Sequence, residues 1–473
     1  MSRPVCAASS RLSTFLVAAA LAVTFVLYSR RGLFTGLQHD DVQNLYWAWT
    51  APLGRILLTL GFPFTTEYRP LGGLLYRGLF ELFGLHALPY RICIHLLLTT
   101  NLLLTFFFLD WRSGSRALAF LGCVLFAFHN RLAELYTNTG TVYDVLCFPF
   151  YVGAVWFYMR LRELRGAARL RDWVALYFLS ACALNAKEMA VTLPAVLTIY
   201  ELFWFGHTGA WRNLSWWLAR ERRLLWALWI LFAVAIAGKL APGNRFAGVE
   251  PYSIQLSWRQ YVNNSAHYMS HLLYGRDAFS YPLTVALQAA SLAITALFRQ
   301  RLLWFWWAFA VLTPLPVQFI ALRGFFVYYL PLMGWSAWMA TVALEPLKAR
   351  RLAAWAPAAA SILCAALALV AARRDYPIPY EEASAGRSPI HQFESELRRV
   401  LPAAPRGARL LLLNDPFPEP SWSAVLLPRL MYRDPQLDVV PQRLLPSLAG
   451  DPARFNYVFE WDGRQFRRLG GSG

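Results

Sequence analysis

The run Leu12-Ser13-Thr14-Phe15-Leu16-Val17-Ala18-Ala19-Ala20-Leu21-Ala22-Val23-Thr24-Phe25-Val26-Leu27-Tyr28 is followed by Arg30-Arg31 and then by Gln38-His39-Asp40-Asp41-Val42. The first stretch approaches the ~20 apolar residues that carry a helix across a bilayer. The second sets two adjacent carboxylates beside it, where fixed negative charge is costly and needs a reason. Arg3 and Arg11 also suit a cleaved signal peptide, but Ser29-Arg30-Arg31 is no small-residue cleavage site. An uncleaved first span is expected.

Working outward, apolar segments recur near 88–109, 117–135, 142–159, 173–186, 189–205, 224–240, 282–298, 302–321, 325–345 and 352–371. With the first span they make about eleven, so the fold class expected is an all-α polytopic membrane protein. Composition agrees: 57% of the 473 residues are hydrophobic and only 15% charged, which excludes an ordinary soluble multi-domain protein. The net charge of +18 is almost all arginine, with lysine only at 187, 239 and 348. These cations are spread between apolar segments rather than gathered in a groove, which argues for membrane topology and against nucleic acid. The six cysteines lie mostly inside apolar runs without metal spacing.

With the N-terminus inside, the inner connections carry Arg112 and Arg116, then Arg160 to Arg171, then Arg212 to Arg223, Arg299 with Arg301, and Lys348 to Arg351. This satisfies the positive-inside rule, against which only Arg30 and Arg31 count. Segments 29–87 and 241–281 then lie outside, the first with amphipathic stretches at Leu45–Leu60 and Leu71–Phe83 suited to the membrane surface. A transmembrane domain is expected over 1–372. Beyond it, 373–473 reads as a small soluble α/β domain on the outer side. Its elements are a strand at Arg409–Leu413 ending in Asn414-Asp415, a helix over Ser421–Tyr432 and a strand over Phe455–Trp461.

Chemistry-bearing residues form five groups. Adjacent side chains diverge, so Asp40 and Asp41 are not a symmetric dyad: one can face a reaction while the other anchors the loop. A carboxylate near a low-dielectric surface also moves toward the range of a general base. The plain alternative is a solvated loop pair, or a cap for a helix starting near Val42. Tyr68-Arg69-Pro70-Leu71 sets proline at a good first helical position and leaves Arg69 to pair with a carboxylate of the same segment. His129, Asn130, Glu134, Asn138 and Asp144 concentrate polar groups at membrane depth, where each charge costs ~2.5–3.5 kcal/mol. Such groups face a cavity or each other. Lys187-Glu188 is equally consistent with a structural ion pair and with a lysine holding a lipid phosphate. Arg323, before Tyr328-Tyr329-Leu330-Pro331, either grips a phosphate bidentately or snorkels to the interface.

The order of these groups resembles the GT-C-fold glycosyltransferases, and most of all the protein O-mannosyltransferase group with the membrane part of the tetratricopeptide-repeat O-mannosyltransferases. His39-Asp40-Asp41-Val42 resembles the acidic motif of that family's first external loop, and Tyr68-Arg69-Pro70-Leu71 a second motif of the same loop. His129, Glu134, Gly140 and Asp144 are similar to a His…Glu…Gly…Asp series, Ala186-Lys187-Glu188 to a Lys-Glu before a span, and Arg323 with Tyr329-Leu330-Pro331 to an Arg…Tyr-Leu-Pro segment. The likeness covers roughly residues 30–345. Two departures stand out: Leu322 occupies the place of a usual Glu, and the tail has no tetratricopeptide repeat.

The resemblance implies transfer of mannose or a similar hexose from a polyprenyl-phosphate donor to an acceptor hydroxyl, by inversion, on the periplasmic face of a bacterial inner membrane. It implies Asp40 as base with Asp41 beside it, Arg323 and Lys187 on the phosphate, and His129, Glu134, Asp144 and Glu188 in the sugar or acceptor pocket. His39, Tyr68 and Arg69 would support the loop. No metal or other cofactor is expected, and the acceptor is a protein, lipid or glycan. The alternative is a non-enzymatic transporter or flippase of lipid-linked glycans, for which inverted repeats would be expected.

Overall fold

The computed structural model describes residues 8–62, 64, 69–164, 169–206, 213, 217, 222–240, 253–349, 355–375, 380–384 and 386–470. Tyr68 therefore lies outside the described residues.

Helix occupies each of the eleven apolar segments. Among the described residues, ten α-helices run through the first part of the chain: α1 Ala8–Ser29, α2 His39–Thr50, α3 Leu53–Gly61, α4 Pro70–Phe83, α5 Ala87–Ser113, α6 Arg116–Ala127, α7 Glu134–Thr137, α8 Val142–Glu163, α9 Leu170–Ala186 and α10 Leu193–Phe205. Helices Arg223–Leu240, Trp258–Leu272, Tyr281–Phe298, Arg301–Leu312, Tyr329–Ala349 and Ala356–Asp375 continue the bundle. Among the described residues, six helices are long and apolar enough to cross a bilayer unaided. A seventh span results if α6 and the segment Asn130–Thr137, bent by 55°, are taken together. The remaining expected spans are helical too. They are held by packing, as where Arg301–Leu312 and α6 both pack on Tyr329–Ala349.

The segment after α1 differs from its expected form. A single amphipathic stretch over 45–60 is replaced by α2 and α3, because Pro52 forces Ala51 out of the helical region, to φ −63°, ψ 134°. Helix α2 also begins earlier, at His39, so both aspartates belong to its first turn, where carboxylates suit the helix dipole. Pro70 opens α4, and the residue before it, Arg69, adopts a left-handed conformation at φ 50°.

The tail forms a four-stranded sheet in the order β2-β1-β3-β4, from β1 Arg409–Leu412, β2 Asp438–Pro441, β3 Tyr457–Trp461 and β4 Phe466–Gly470. Strand β1 is parallel to both neighbours, and β4 runs antiparallel to β3. Helix Ser423–Met431 packs on β2 and on α2. The strands β2 and β4 and the helix Pro389–Val400 were not expected from the sequence, where their signals are weaker.

Candidate active site

One face of α2 carries Asp40, Gln43, Asn44 and Trp47 at helical spacing, and all four line a cavity of about 800 Å³. Arg69, Gly140, Tyr143, Asp144, Lys187, Glu188, Lys239, Arg323 and Phe326 form its other polar and aromatic walls, with Leu184, Ile236 and Ile320 among the apolar ones. Six residues nominated from the sequence thus share one space: Asp40, Arg69, Asp144, Lys187, Glu188 and Arg323.

The two aspartates part company in the first turn of α2. Asp40 is exposed to the cavity and makes no hydrogen bond or ion pair among the described residues. Its neighbour across the gap is Gly140, where an added Cβ would lie 2.5 Å from the Asp40 Cβ. Asp41 turns into the protein, fully buried, and is not in the cavity wall. It accepts from the Gln38 N–H at 2.9 Å and from the Tyr76 hydroxyl at 3.3 Å, and pairs with the equally buried Arg91 at 3.2 Å. Burial pushes the Asp41 carboxyl above its ordinary range, and Arg91 pulls it back. Arg91 also donates to the Gly36 carbonyl and to Thr139 Oγ1, so one guanidinium ties the Asp40 loop to the turn that carries Gly140.

Several of the remaining charges pair across the chain. Arg69 reaches out of its own segment: its Nε and Nη2 donate to Glu188 Oε2 at 3.0 and 2.8 Å, and its guanidinium lies 4.9 Å from the Tyr143 ring centre. Lys187 and Glu188, though adjacent, turn to different partners. Lys187 contacts Asp144 directly, with the two side chains 7% and 5% exposed. Lys239 reaches Glu188 Oε1 at 3.4 Å and the Leu184 carbonyl at 3.1 Å. Tyr143, which donates to Asn44 Oδ1 at 2.9 Å, closes this wall.

Besides Asp41, three residues that the resemblance nominated stand apart from the cavity wall. Glu134 lies behind Gly324, whose added Cβ would sit 3.1 Å from Glu134 Oε2. His129 is buried between the rings of Tyr274 and Phe325, at 4.5 and 5.1 Å. His39 points to the C-terminal domain: its Nδ1 is 2.8 Å from Ser423 Oγ and 3.1 Å from Ser421 Oγ, and its ring packs on Phe417. Burial lowers the His39 pKa and the nearby Asp40 opposes that shift.

The overall architecture has a known counterpart. A crystal structure of ArnT from Cupriavidus metallidurans bound to undecaprenyl phosphate superposes with a TM-score of 0.52, covering 96% of this chain and 93% of that one. The two share a fold. Sequence identity is 13%, so the likeness speaks for the fold alone, and it bears out the all-α polytopic, GT-C-like architecture with its small C-terminal α/β part. No family model matches the sequence, and no curated protein does.

Sequence reasoning missed Arg91, Asn44, Tyr143 and Lys239. A signal existed for two of them: Asn44 lies four residues after Asp40 on a helix, and Lys239 is one of only three lysines.

Proposed function

We propose that this protein is a membrane glycosyltransferase that moves a sugar from a polyprenyl-phosphate donor to an acceptor hydroxyl. Asp40 takes the proton of the acceptor hydroxyl as its oxygen attacks the anomeric carbon opposite the phosphate. One bond forms and one breaks in a single inverting displacement, and the lipid phosphate departs with the bonding pair. Negative charge grows on that phosphate, and Arg323 with a lysine of the wall, for which the sequence nominates Lys187, is the group that stabilises it. Asp144, Glu188 and Arg69 shape the sugar and acceptor pocket, with Glu134 and His129 behind it. The reaction so drawn uses no metal. In this reading the donor is a mannosyl or similar hexosyl lipid and the site faces the periplasm.

The observation that carries the reading is the contrast inside one cavity. An aspartate without a counter-ion among the described residues faces a wall holding Arg69, Lys187, Lys239 and Arg323. A base and a cationic phosphate site are what this displacement needs at opposite ends of one bond. The shared fold with a protein crystallised with undecaprenyl phosphate adds support for the lipid.

The test is incubation of the purified protein with a panel of polyprenyl-phosphate sugars, following donor consumption and labelled product. Asp40→Asn is expected to lower transfer by ~10²–10⁴-fold while the melting temperature in detergent holds. Near-normal transfer by that variant would remove Asp40 as the base.

A further inference from the structure

Two of the three lysines in the chain line the cavity, and they are held in different ways. Lys187 sits against Asp144 with both side chains almost wholly buried, and its ammonium lies 5.5 Å from the Phe326 ring centre. If Lys187 swung to a ligand, Asp144 would be left as a buried carboxylate without its partner, a costly state. Lys239 is 22% exposed, and its bond to Glu188 is long, at 3.4 Å. Glu188 does not depend on it, since Arg69 already donates twice to Glu188 Oε2. An ammonium carries three donors on a flexible stem, so Lys239 can re-aim toward an anion and leave Glu188 still paired.

The position of Lys239 also suits a lipid. Its helix, Arg223–Leu240, presents Ile236 and Lys239 to the cavity. The same helix exposes Trp226, Trp229, Ile230 and Val234, side chains suited to lipid rather than water. It is therefore a wall with the cavity on one side and an apolar, lipid-suited surface on the other. A lipid entering from that side brings its headgroup past Ile236 to Lys239, one helical turn further on.

We propose that Lys239, rather than Lys187, is the lysine that takes the phosphate of a polyprenyl-phosphate ligand, exchanging its bond to Glu188 for one to the phosphate. Lys187 is then a positioning residue that fixes Asp144. The inference rests on the lipid-donor reading above. It is separable from that reading by comparing two probes, undecaprenyl phosphate and undecaprenol, which share a tail and differ in the phosphate.

Binding of each probe to the full chain in detergent, read by native mass spectrometry, gives the preference for phosphate over alcohol. Lys239→Gln is expected to cut that preference by about tenfold or more without weakening the alcohol, and Lys239→Arg to keep most of it. Lys239→Met provides a second uncharged variant should Lys239→Gln fold poorly, with melting curves as the check. Wild-type preference in both uncharged variants overturns the inference and leaves the donor reading standing. A wild type that shows no preference overturns both.

Discussion

At the scale of single residues the candidate site turns on the separation of Asp40 from Asp41. Two identical neighbours have opposite fates because adjacent positions in a helical first turn point about 100° apart. One meets the cavity and the other meets Arg91 and Tyr76. That the pair would diverge was readable from the sequence. Which member faces inward was not, because it depends on Arg91, fifty positions away in the chain. Gly140 offers the sharpest local test. Its missing Cβ leaves room for the Asp40 side chain, with Asn138 Oδ1 at 2.9 Å and Asp40 Oδ2 at 3.3 Å from where a methyl would stand. Gly140→Ala must push the carboxylate aside, and a shift of about 1 Å at a reacting group costs ~10²-fold in rate. The expected outcome is that loss of turnover with little change in melting temperature, measured by a transfer assay beside a thermal melt. Unchanged turnover would show that Asp40 does not need its present position.

At the scale of elements the decisive tie is between α5 and the loop leading into α2. Arg91 projects from the first part of α5, and its guanidinium bridges Asp41, the Gly36 carbonyl and Thr139 Oγ1. The helices themselves were legible, because apolar length and proline positions specify them locally. Their ties were not, because an arginine near the start of a span looks the same in sequence whether it snorkels to the interface or is buried. Breaking one partner of a buried ion pair costs ~3–5 kcal/mol, whereas removing both costs less. Arg91→Met alone is therefore expected to lower the unfolding midpoint markedly. Adding Asp41→Leu to Arg91→Met should recover part of the loss, and a double-mutant cycle in detergent measures the coupling. Strict additivity of the two changes would mean that the pair does not hold the loop.

At the scale of the whole molecule the C-terminal domain docks on the segment that carries the candidate base. Arg433 pairs with Glu81 at 2.9 Å, Ser388 donates to the Leu37 carbonyl at 3.2 Å, and Ser423 and Ser421 meet His39, next to Asp40. The likeness placed His39 in support of its loop, and nothing in the sequence pointed to partners more than 380 residues on. The strands Arg409–Leu412 and Tyr457–Trp461 were legible because each is an apolar run, but docking depends on side chains that look like ordinary surface residues.

This contact predicts a pH response whose sign follows from burial. The His39 pKa is lowered in the folded protein, chiefly by desolvation and against the pull of Asp40. The unfolded chain therefore takes up the proton first as pH falls below the ordinary value of ~6.5, and folding must then exclude it. A neutral ring accepts a serine hydroxyl proton at Nδ1, whereas a charged ring has none of that capacity left. The stability contributed by neutral His39 is thus fully present above the unfolded value and is lost as pH falls toward the folded one. Melting temperature in detergent should drop on acidification through this window in the wild type, and less steeply in His39→Gln. His271, whose value burial also lowers, adds the same slope to both proteins, so the difference between the two curves is the measurement. Superimposable curves would show that the domain is held to α2 without help from His39.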